Sequence, residues 1–214
     1  MEKQKSYHPL ISMLVKPKET IRKIITKNPN KMLFLLSFVY GLSMLISFSQ
    51  SMALGLNLNV FIILLGCLIL APVWGYLVFS FSSILIYFTG KWLKGEGNFN
   101  QIRAAIAWSN VPMFGSLSLW IILILVFGNT LFTAFPPEIG LSGAITVFLF
   151  LVSLFQLIFS IWILVLYINA LAEVQKFSIL KAIFNIILAV LIFVVSFYIL
   201  FMLFSFIFKM GKGA

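Results

Sequence analysis

The sequence predicts an all-α membrane protein, a bundle of five transmembrane helices with a cytoplasmic N-terminus and a C-terminus outside the cytoplasm. Hydrophobic residues make up 62% of the chain and charged residues only 9%, whereas soluble domains carry about 25% charge. Four long runs contain no charged residue, and a membrane-spanning helix needs only about 20 mainly apolar residues. These runs cover residues 32–90, 104–137, 139–172 and 182–208.

Residues 1–31 are predicted to form a basic cytoplasmic tail with a short amphipathic helix. The tail holds eight of the fifteen Lys and Arg residues of the chain. Pro17 suits the first turn of a helix, and one face of that helix carries Ile21, Ile24 and Ile25. Two compatible interpretations remain open: the helix lies on an anionic leaflet, or the tail only directs topology through its charge.

The first charge-free run, residues 32–90, is too long for a single crossing. Within it, "SMALGLNLNV" supplies the turn formers Gly55, Asn57 and Asn59, which mark a connection. The run therefore predicts one span over residues 33–54 and a second over residues 60–88. Pro72 lies inside the second span and is expected to kink it, because proline removes one backbone hydrogen bond and crowds the preceding turn.

The remaining sequence predicts three more spans, which complete a membrane domain over residues 32–214. The third span covers residues 111–133, with Pro112 marking a bend at its start and "FPPEIG" following its end. The fourth span covers residues 142–169, and the fifth covers residues 180–208.

Orientation follows from Lys and Arg, which concentrate in cytoplasmic connections. Besides the tail, the connections 90–103 and 170–181 carry basic residues, whereas 55–59 and 134–141 carry none. This pattern places the N-terminus inside and the C-terminus outside. The last two lysines of the chain oppose the pattern, but a short tail is easily translocated.

The connection "GKWLKGEGNFNQIRAAIAWSNVPM" is the densest polar stretch between two apolar runs. Gly95 and Gly97 are expected to permit turns with positive φ, and Asn98 or Asn100 is expected to cap a following helix. Lacking a preceding strand and a fuller glycine signature, this Gly-x-Gly pair does not predict a phosphate cradle. We expect a cytoplasmic hairpin whose second arm is an amphipathic helix entering the third span.

Four side chains of this hairpin form a hypothetical partner-docking site. Trp92 and Trp108 suit the level of the lipid headgroups, while Lys94 and Arg103 would offer exposed charge to an acidic partner surface. The alternative is that the arm only packs against its own bundle.

Small and weakly polar residues recur at helical spacing within the spans. Such stripes pack helices together in lipid, although one stripe could instead face a partner or a polar path. The predicted packing residues are Ser43, Ser47, Ser51, Ala71, Gly75, Ser153, Gln156 and Ser160. A further stripe in the fifth span comprises Ala182, Asn185, Ala189 and Ser196.

No acidic residue, basic residue or His is predicted inside the hydrocarbon, which disfavours several function classes. Proton relays and ion-coupled carriers usually need ionisable groups inside the membrane. The chain has one cysteine, Cys67, and one histidine, His8, so no intramolecular disulfide and no Cys- or His-rich metal site is expected. We expect no enzyme, no cofactor and no nucleic-acid partner.

Three segments resemble the Yip family of membrane proteins, which is named for interaction with Ypt/Rab GTPases. The 90–113 stretch is similar to the family's central polar turn followed by a small-residue helix and a proline. "KPKETIRKIITKNP" is similar to the stretch before the first span in bacterial members, and "ALAEVQKFSILKAI" to the link between the last two spans. The resemblance implies five spans with the same orientation.

The resemblance also implies a function. The Asp-Leu-Tyr-Gly-Pro motif of the Rab-binding eukaryotic members is not found here, so Rab binding is not expected. The short form resembles bacterial members in the cell membrane, some of which are accessory subunits of ABC-type exporters that protect against toxic peptides. This implies a non-catalytic scaffold that contacts anionic lipids and a permease, ATPase or membrane-fusion subunit. The alternative is a stand-alone channel or small-molecule facilitator.

Overall fold

The computed structural model describes residues 8–133 and 143–212, with side chains up to residue 205, and shows eight α-helices there. The helices are α1 Pro9–Val15, α2 Pro17–Lys27, α3 Leu33–Ser51, α4 Val60–Trp92, α5 Phe99–Ser109, α6 Met113–Phe127, α7 Gly143–Gln175 and α8 Ile179–Lys212. Five of them, α3, α4, α6, α7 and α8, are long and apolar enough to cross a membrane. The 3₁₀ turns Leu54–Leu56 and Gly128–Phe132 follow α3 and α6.

The five long helices coincide with the five predicted spans, but three of them are longer than expected. Helices α4, α7 and α8 continue four, six and four residues beyond their predicted ends at residues 88, 169 and 208. A helix can extend past the hydrocarbon as long as its backbone hydrogen bonds continue. The predicted 134–141 connection lies outside the described residues, as do the side chains of the last two lysines.

Side-chain caps fix where two of the helices begin. The Oδ1 atom of Asn59 accepts a hydrogen bond from the Ile62 N–H over 2.9 Å at the start of α4. At the start of α5, Asn98 Oδ1 accepts from the Gln101 N–H, and Gln101 Oε1 accepts from the Asn98 N–H, at 3.0 and 3.1 Å. This reciprocal capping box makes Asn98, and not Asn100, the cap.

Helices α3 and α4 form a hairpin held by direct backbone approach. A Cβ atom on Gly75 would collide with the backbone carbonyl of Ser37, and one on Gly41 would collide with that of Ala71. Small residues allow such close packing in lipid, and the predicted Ala71–Gly75 pair lies at this contact. Helix α4 continues through Pro72, and the bend there stays a prediction.

Helix α5 lies at the centre of the bundle and not at its surface. Its residues 102–109 are all buried, and helices α1, α2, α3, α4 and α7 contact it. The expectation of an amphipathic arm is therefore wrong, because no face of residues 102–109 is exposed. Trp108 is 1% exposed and lies in the hydrophobic core, so its indole contacts protein and not lipid headgroups.

The N-terminal tail also differs from expectation, because it forms two helices that pack on the bundle. Ile21 and Ile24 of α2 are 0% and 3% exposed and belong to the same core cluster as α5. The apolar face of α2 is thus covered by protein. It is not available to lie on a leaflet.

Candidate functional site

The charged side chains gather at one end of the bundle, which we call the basic end. There α2, α5, the connection 93–98, the last turn of α7 and the first turn of α8 meet. Among residues with described side chains, its cations are Lys16, Lys18, Arg22, Lys23, Lys27, Lys31, Lys91, Lys94, Arg103, Lys176 and Lys181, and its acids are Glu19, Glu96 and Glu173. The excess of cations gives this end a positive potential.

Gln175, at the end of α7, clamps the polar connection between α4 and α5. It is 1% exposed, and its Oε1 atom accepts a hydrogen bond from the Gly97 N–H over 3.1 Å. Its backbone carbonyl accepts from the Glu96 N–H over 3.3 Å. A Cβ atom on Gly95 would overlap the Gln175 side chain, so this amide packs directly against the Gly95 backbone.

A second polar contact joins α4 to α8 beside the clamp. The Thr89 hydroxyl donates to Asn185 Oδ1 over 2.6 Å, and both residues are buried. Gly90 leaves room for the amide groups of Asn185 and Gln175, since a Cβ atom there would meet both. In the part of the chain that the structure describes, the amide nitrogens of Gln175 and Asn185 have no hydrogen-bond partner.

The turns that end α4 and α7 have the same construction. The Gly95 N–H donates to the Gly90 carbonyl over 2.8 Å, and the Phe177 N–H donates to the Ala172 carbonyl over 2.9 Å. In each turn a lysine adopts the left-handed conformation, Lys94 with φ 61° and Lys176 with φ 58°. These are Schellman-type helix ends, where glycine is the usual residue.

The positive φ was expected at the wrong residues of the connection. Gly95 and Gly97 do not have positive φ, whereas Lys94 does. A Cβ atom on Gly95 would instead meet the Gln175 side chain, and one on Gly97 would meet Val174 first and then Gln175.

An ion-pair cluster ties the N-terminal helix α2 to the end of α7. Arg22 donates through Nε and Nη2 to the two carboxylate oxygens of Glu173, at 2.7 and 3.0 Å, and Lys176 Nζ donates to the same carboxylate at 3.0 Å. A bidentate Arg–carboxylate pair is geometrically specific. The hydrogen bonds that Arg22 donates to Glu173 raise the pKa of Arg22 above its ordinary value.

Arg103 is not the exposed charge that we expected, because it is 7% exposed. It donates to Tyr76 Oη at 2.8 Å and to Asn30 Oδ1 and Asn100 Oδ1 at 3.0 and 3.1 Å. Its guanidinium also lies 5.1 Å from the ring centres of Tyr76 and Phe99. Among the described residues, no carboxylate lies within 4.0 Å of it.

Of the four predicted docking residues, two lie at the surface and two lie inside. Trp92, the last residue of α4, is 67% exposed, and Lys94 is exposed beside it. Arg103 and Trp108 point into the bundle because α5 is enclosed by its neighbours.

The model of the Yip1 domain matches residues 11–204, nearly the whole chain. The chain belongs to the Yip1 domain family. Comparisons with curated proteins and with solved structures gave no match. The fold and the family together make this a multi-pass integral membrane protein.

The polar stripes of this Yip1 domain have different positions in the bundle. Ser43 is buried. Ser47, Ser153 and Gln156 line a cavity of about 120 Å³ between α3, α6 and α7, together with Gln50 and Trp120.

Ser51 and Ser160 do not fit the predicted packing role. Both are exposed, and their hydroxyls donate to the Phe48 and Gln156 carbonyls of their own helices, each over 2.9 Å. Among the described residues of this Yip1 domain, these two hydroxyls therefore make no hydrogen bond to a second helix.

Sequence reasoning missed Gln175, Thr89 and the partnership of Arg22 with Glu173. An amide within an apolar run is the one available signal, since polar side chains in such runs tend to bond across helices, and it applies to Asn185, the partner of Thr89. Asn185 was noted only as part of a stripe. Its partner Thr89 is 96 residues away in the sequence, and no local pattern connects them.

Proposed function

We propose that this protein is a non-catalytic membrane scaffold, an accessory subunit of an ABC-type export complex that protects a bacterial cell against toxic peptides. It would reside in the cell membrane with its basic end in the cytoplasm. The observation that carries the proposal is the clamped connection 93–98, which presents Trp92 and Lys94 on a fixed surface.

A pre-ordered surface supports docking because less conformational entropy is lost on binding. Residues 93–98 are held by the Gln175 hydrogen bond to Gly97 and by the Schellman-type bond from Gly95 to Gly90. The exposed indole of Trp92 is the type of side chain that anchors interfaces. Lys94 would steer an acidic partner surface towards it.

The partner would be the permease, the ATPase or the membrane-fusion subunit of the exporter. Gentle detergent extraction of the tagged protein, followed by identification of co-purifying proteins, tests this directly. The double variant Trp92→Ala and Lys94→Glu is expected to recover less partner per molecule while its abundance in the membrane stays near that of the wild type.

A matched control for this experiment lies on the neighbouring helix. Leu180 is 79% exposed and Lys181 is exposed beside it, so Leu180→Ala and Lys181→Glu make the same kind of change at the same end. Equal partner recovery from both double variants would refute docking at Trp92 and Lys94. Recovery of no exporter subunit from the wild type would refute the exporter role itself.

The alternative function, a stand-alone channel or small-molecule facilitator, is favoured by the polar cavity at Ser47, Ser153 and Gln156. Its volume of about 120 Å³ corresponds to a few water molecules at about 30 Å³ each. Light scattering by proteoliposomes under an osmotic gradient of glycerol or urea tests it. A facilitator would show flux that Gln156→Leu abolishes, whereas flux equal to that of empty liposomes would exclude this function for these solutes.

A further inference from the structure

A basic cavity lies where α2 turns into α3. It has a volume of about 230 Å³ and is lined by Lys23, Ile24, Thr26, Lys27 and Lys31, with no acidic residue in its wall. Ile24 is buried and forms an apolar part of that wall, whereas Lys27 and Lys31 are exposed. Among the described residues, no carboxylate lies within 4.0 Å of the Lys27 or Lys31 ammonium group.

The cavity adjoins the first turn of a membrane-spanning helix. Lys31 lies two residues before α3, and Met32 between them has φ 55°, which turns the chain sharply. Phe34 and Leu35, in the first turn of α3, are 75% and 39% exposed. An exposed apolar turn next to converging lysines is typical of the boundary between acyl chains and headgroups.

Arg103 adds positive potential behind the cavity. Its Nη2 atom is held by Asn30 Oδ1 at 3.0 Å, and Asn30 is the residue immediately before Lys31. As shown above, this buried guanidinium has no carboxylate partner in the described part of the chain. Charge inside a protein is screened less than charge at its surface, so Arg103 favours an anion nearby.

We propose that this cavity binds the phosphate of an anionic phospholipid, with Lys27 and Lys31 contacting the headgroup and Phe34 contacting an acyl chain. Lysine binds phosphate as a point charge. A phospholipid also has an acyl chain that can contact the exposed Phe34, whereas free phosphate has no apolar part. The site goes beyond the proposed scaffold function and does not depend on any exporter partner.

The experiment uses the purified full-length protein in neutral detergent, titrated with short-chain phosphatidylglycerol and followed by thermophoresis of the labelled protein. Short-chain phosphatidylcholine, which is zwitterionic, and inorganic phosphate are titrated in parallel. The cavity variant is Lys27→Gln with Lys31→Gln. The control is Lys18→Gln with Lys94→Gln, which removes the same charge from two exposed positions outside the cavity.

We expect wild type to bind phosphatidylglycerol more tightly than phosphatidylcholine. A basic residue near an anionic headgroup contributes about 1 kcal/mol, or about fivefold in Kd, so the cavity variant should bind about 25-fold more weakly. The control variant should stay within a few-fold of wild type. Lys27→Arg with Lys31→Arg should retain binding, and near-identical melting temperatures would show that all variants fold.

Three results would overturn the proposal. Unchanged phosphatidylglycerol binding by the cavity variant would show that the lipid is not held there. Equal weakening of the cavity and control variants would show attraction to the whole basic end and no specific site. Inorganic phosphate that binds as tightly as the lipid would show a phosphate site without lipid recognition.

Discussion

Replacing Gly75 of α4 by alanine tests whether α3 and α4 pack through direct backbone contact. The added methyl group would overlap the backbone carbonyl of Ser37, which cannot rotate away as the end of a long side chain could. Gly66 provides a matched control, because it lies in the interior of the same helix and a Cβ atom there meets no atom within 4 Å.

The two substitutions should differ in their effect on stability, and only Gly75→Ala should be destabilising. Alanine is favoured over glycine in a helix interior by about 0.5–1 kcal/mol, so Gly66→Ala should be neutral or stabilising. At Gly75 the same gain is outweighed by overpacking, which typically costs about 1–3 kcal/mol. For a chain of this size each 1 kcal/mol corresponds to roughly 2–4 °C in Tm, so Gly75→Ala should lower Tm by several degrees.

Thermal unfolding in one detergent, monitored by intrinsic tryptophan fluorescence, measures both variants against wild type. Size-exclusion chromatography confirms that the samples are equally monodisperse before heating. If Gly75→Ala unfolds at or above the Tm of Gly66→Ala, the Gly75 backbone does not lie against the Ser37 carbonyl. A decrease of equal size in both variants would indicate an effect of helix propensity in the detergent and not of packing.

Further predictions concern the basic end and the topology. Trp108→Ala should lower the free energy of unfolding by about 3–5 kcal/mol, as for other buried aromatics, and reduce the yield of folded protein. Lys94→Gly should raise Tm slightly, because left-handed φ costs a non-glycine residue about 1–2 kcal/mol and glycine entropy offsets part of this gain. Arg22→Gln should speed proteolysis of the N-terminal tail, because α2 loses its bidentate contact with Glu173. Side-specific reporters fused after Ala214 and after Lys94 should give opposite results.

Each of these predictions can fail in a recognisable way. Wild-type yield and Tm for Trp108→Ala would mean that the indole is not in the core. A lower Tm for Lys94→Gly would contradict the left-handed turn, and unchanged proteolysis of Arg22→Gln would show that the ion pair does not hold α2. Two reporters on the same side would contradict five crossings.

The membrane class and the helix count could be predicted from the sequence, because both depend on local composition. A charge-free run must be helical in lipid, where every backbone polar group needs a partner, and its length sets how many times it crosses. A cap at Asn98 or Asn100 was predictable for the same reason, since capping involves residues close in the sequence, and the structure decided for Asn98.

The environment of α5 was decided only by the tertiary structure. Its sequence mixes Arg103 and Gln101 with alanines, which suggested a polar face. That face was expected to meet water, but α2, α4 and α7 enclose the helix, so Arg103 bonds to Asn30 and Tyr76 from distant parts of the chain. No local pattern contains the positions of these partners.

For the glycines of the 93–98 connection, too, one property was predictable from the sequence and another depended on the tertiary structure. The sequence by itself determined that a turn occurs there, because Gly95 and Gly97 interrupt two apolar runs. Only the tertiary structure showed what packs against these glycines, namely Val174 and Gln175 of α7, and Gln175 is 78 residues away from Gly97. Composition and residue spacing predict which secondary structure a segment forms by itself. The burial of its side chains and the close approach of backbones depend on which other segments pack against it.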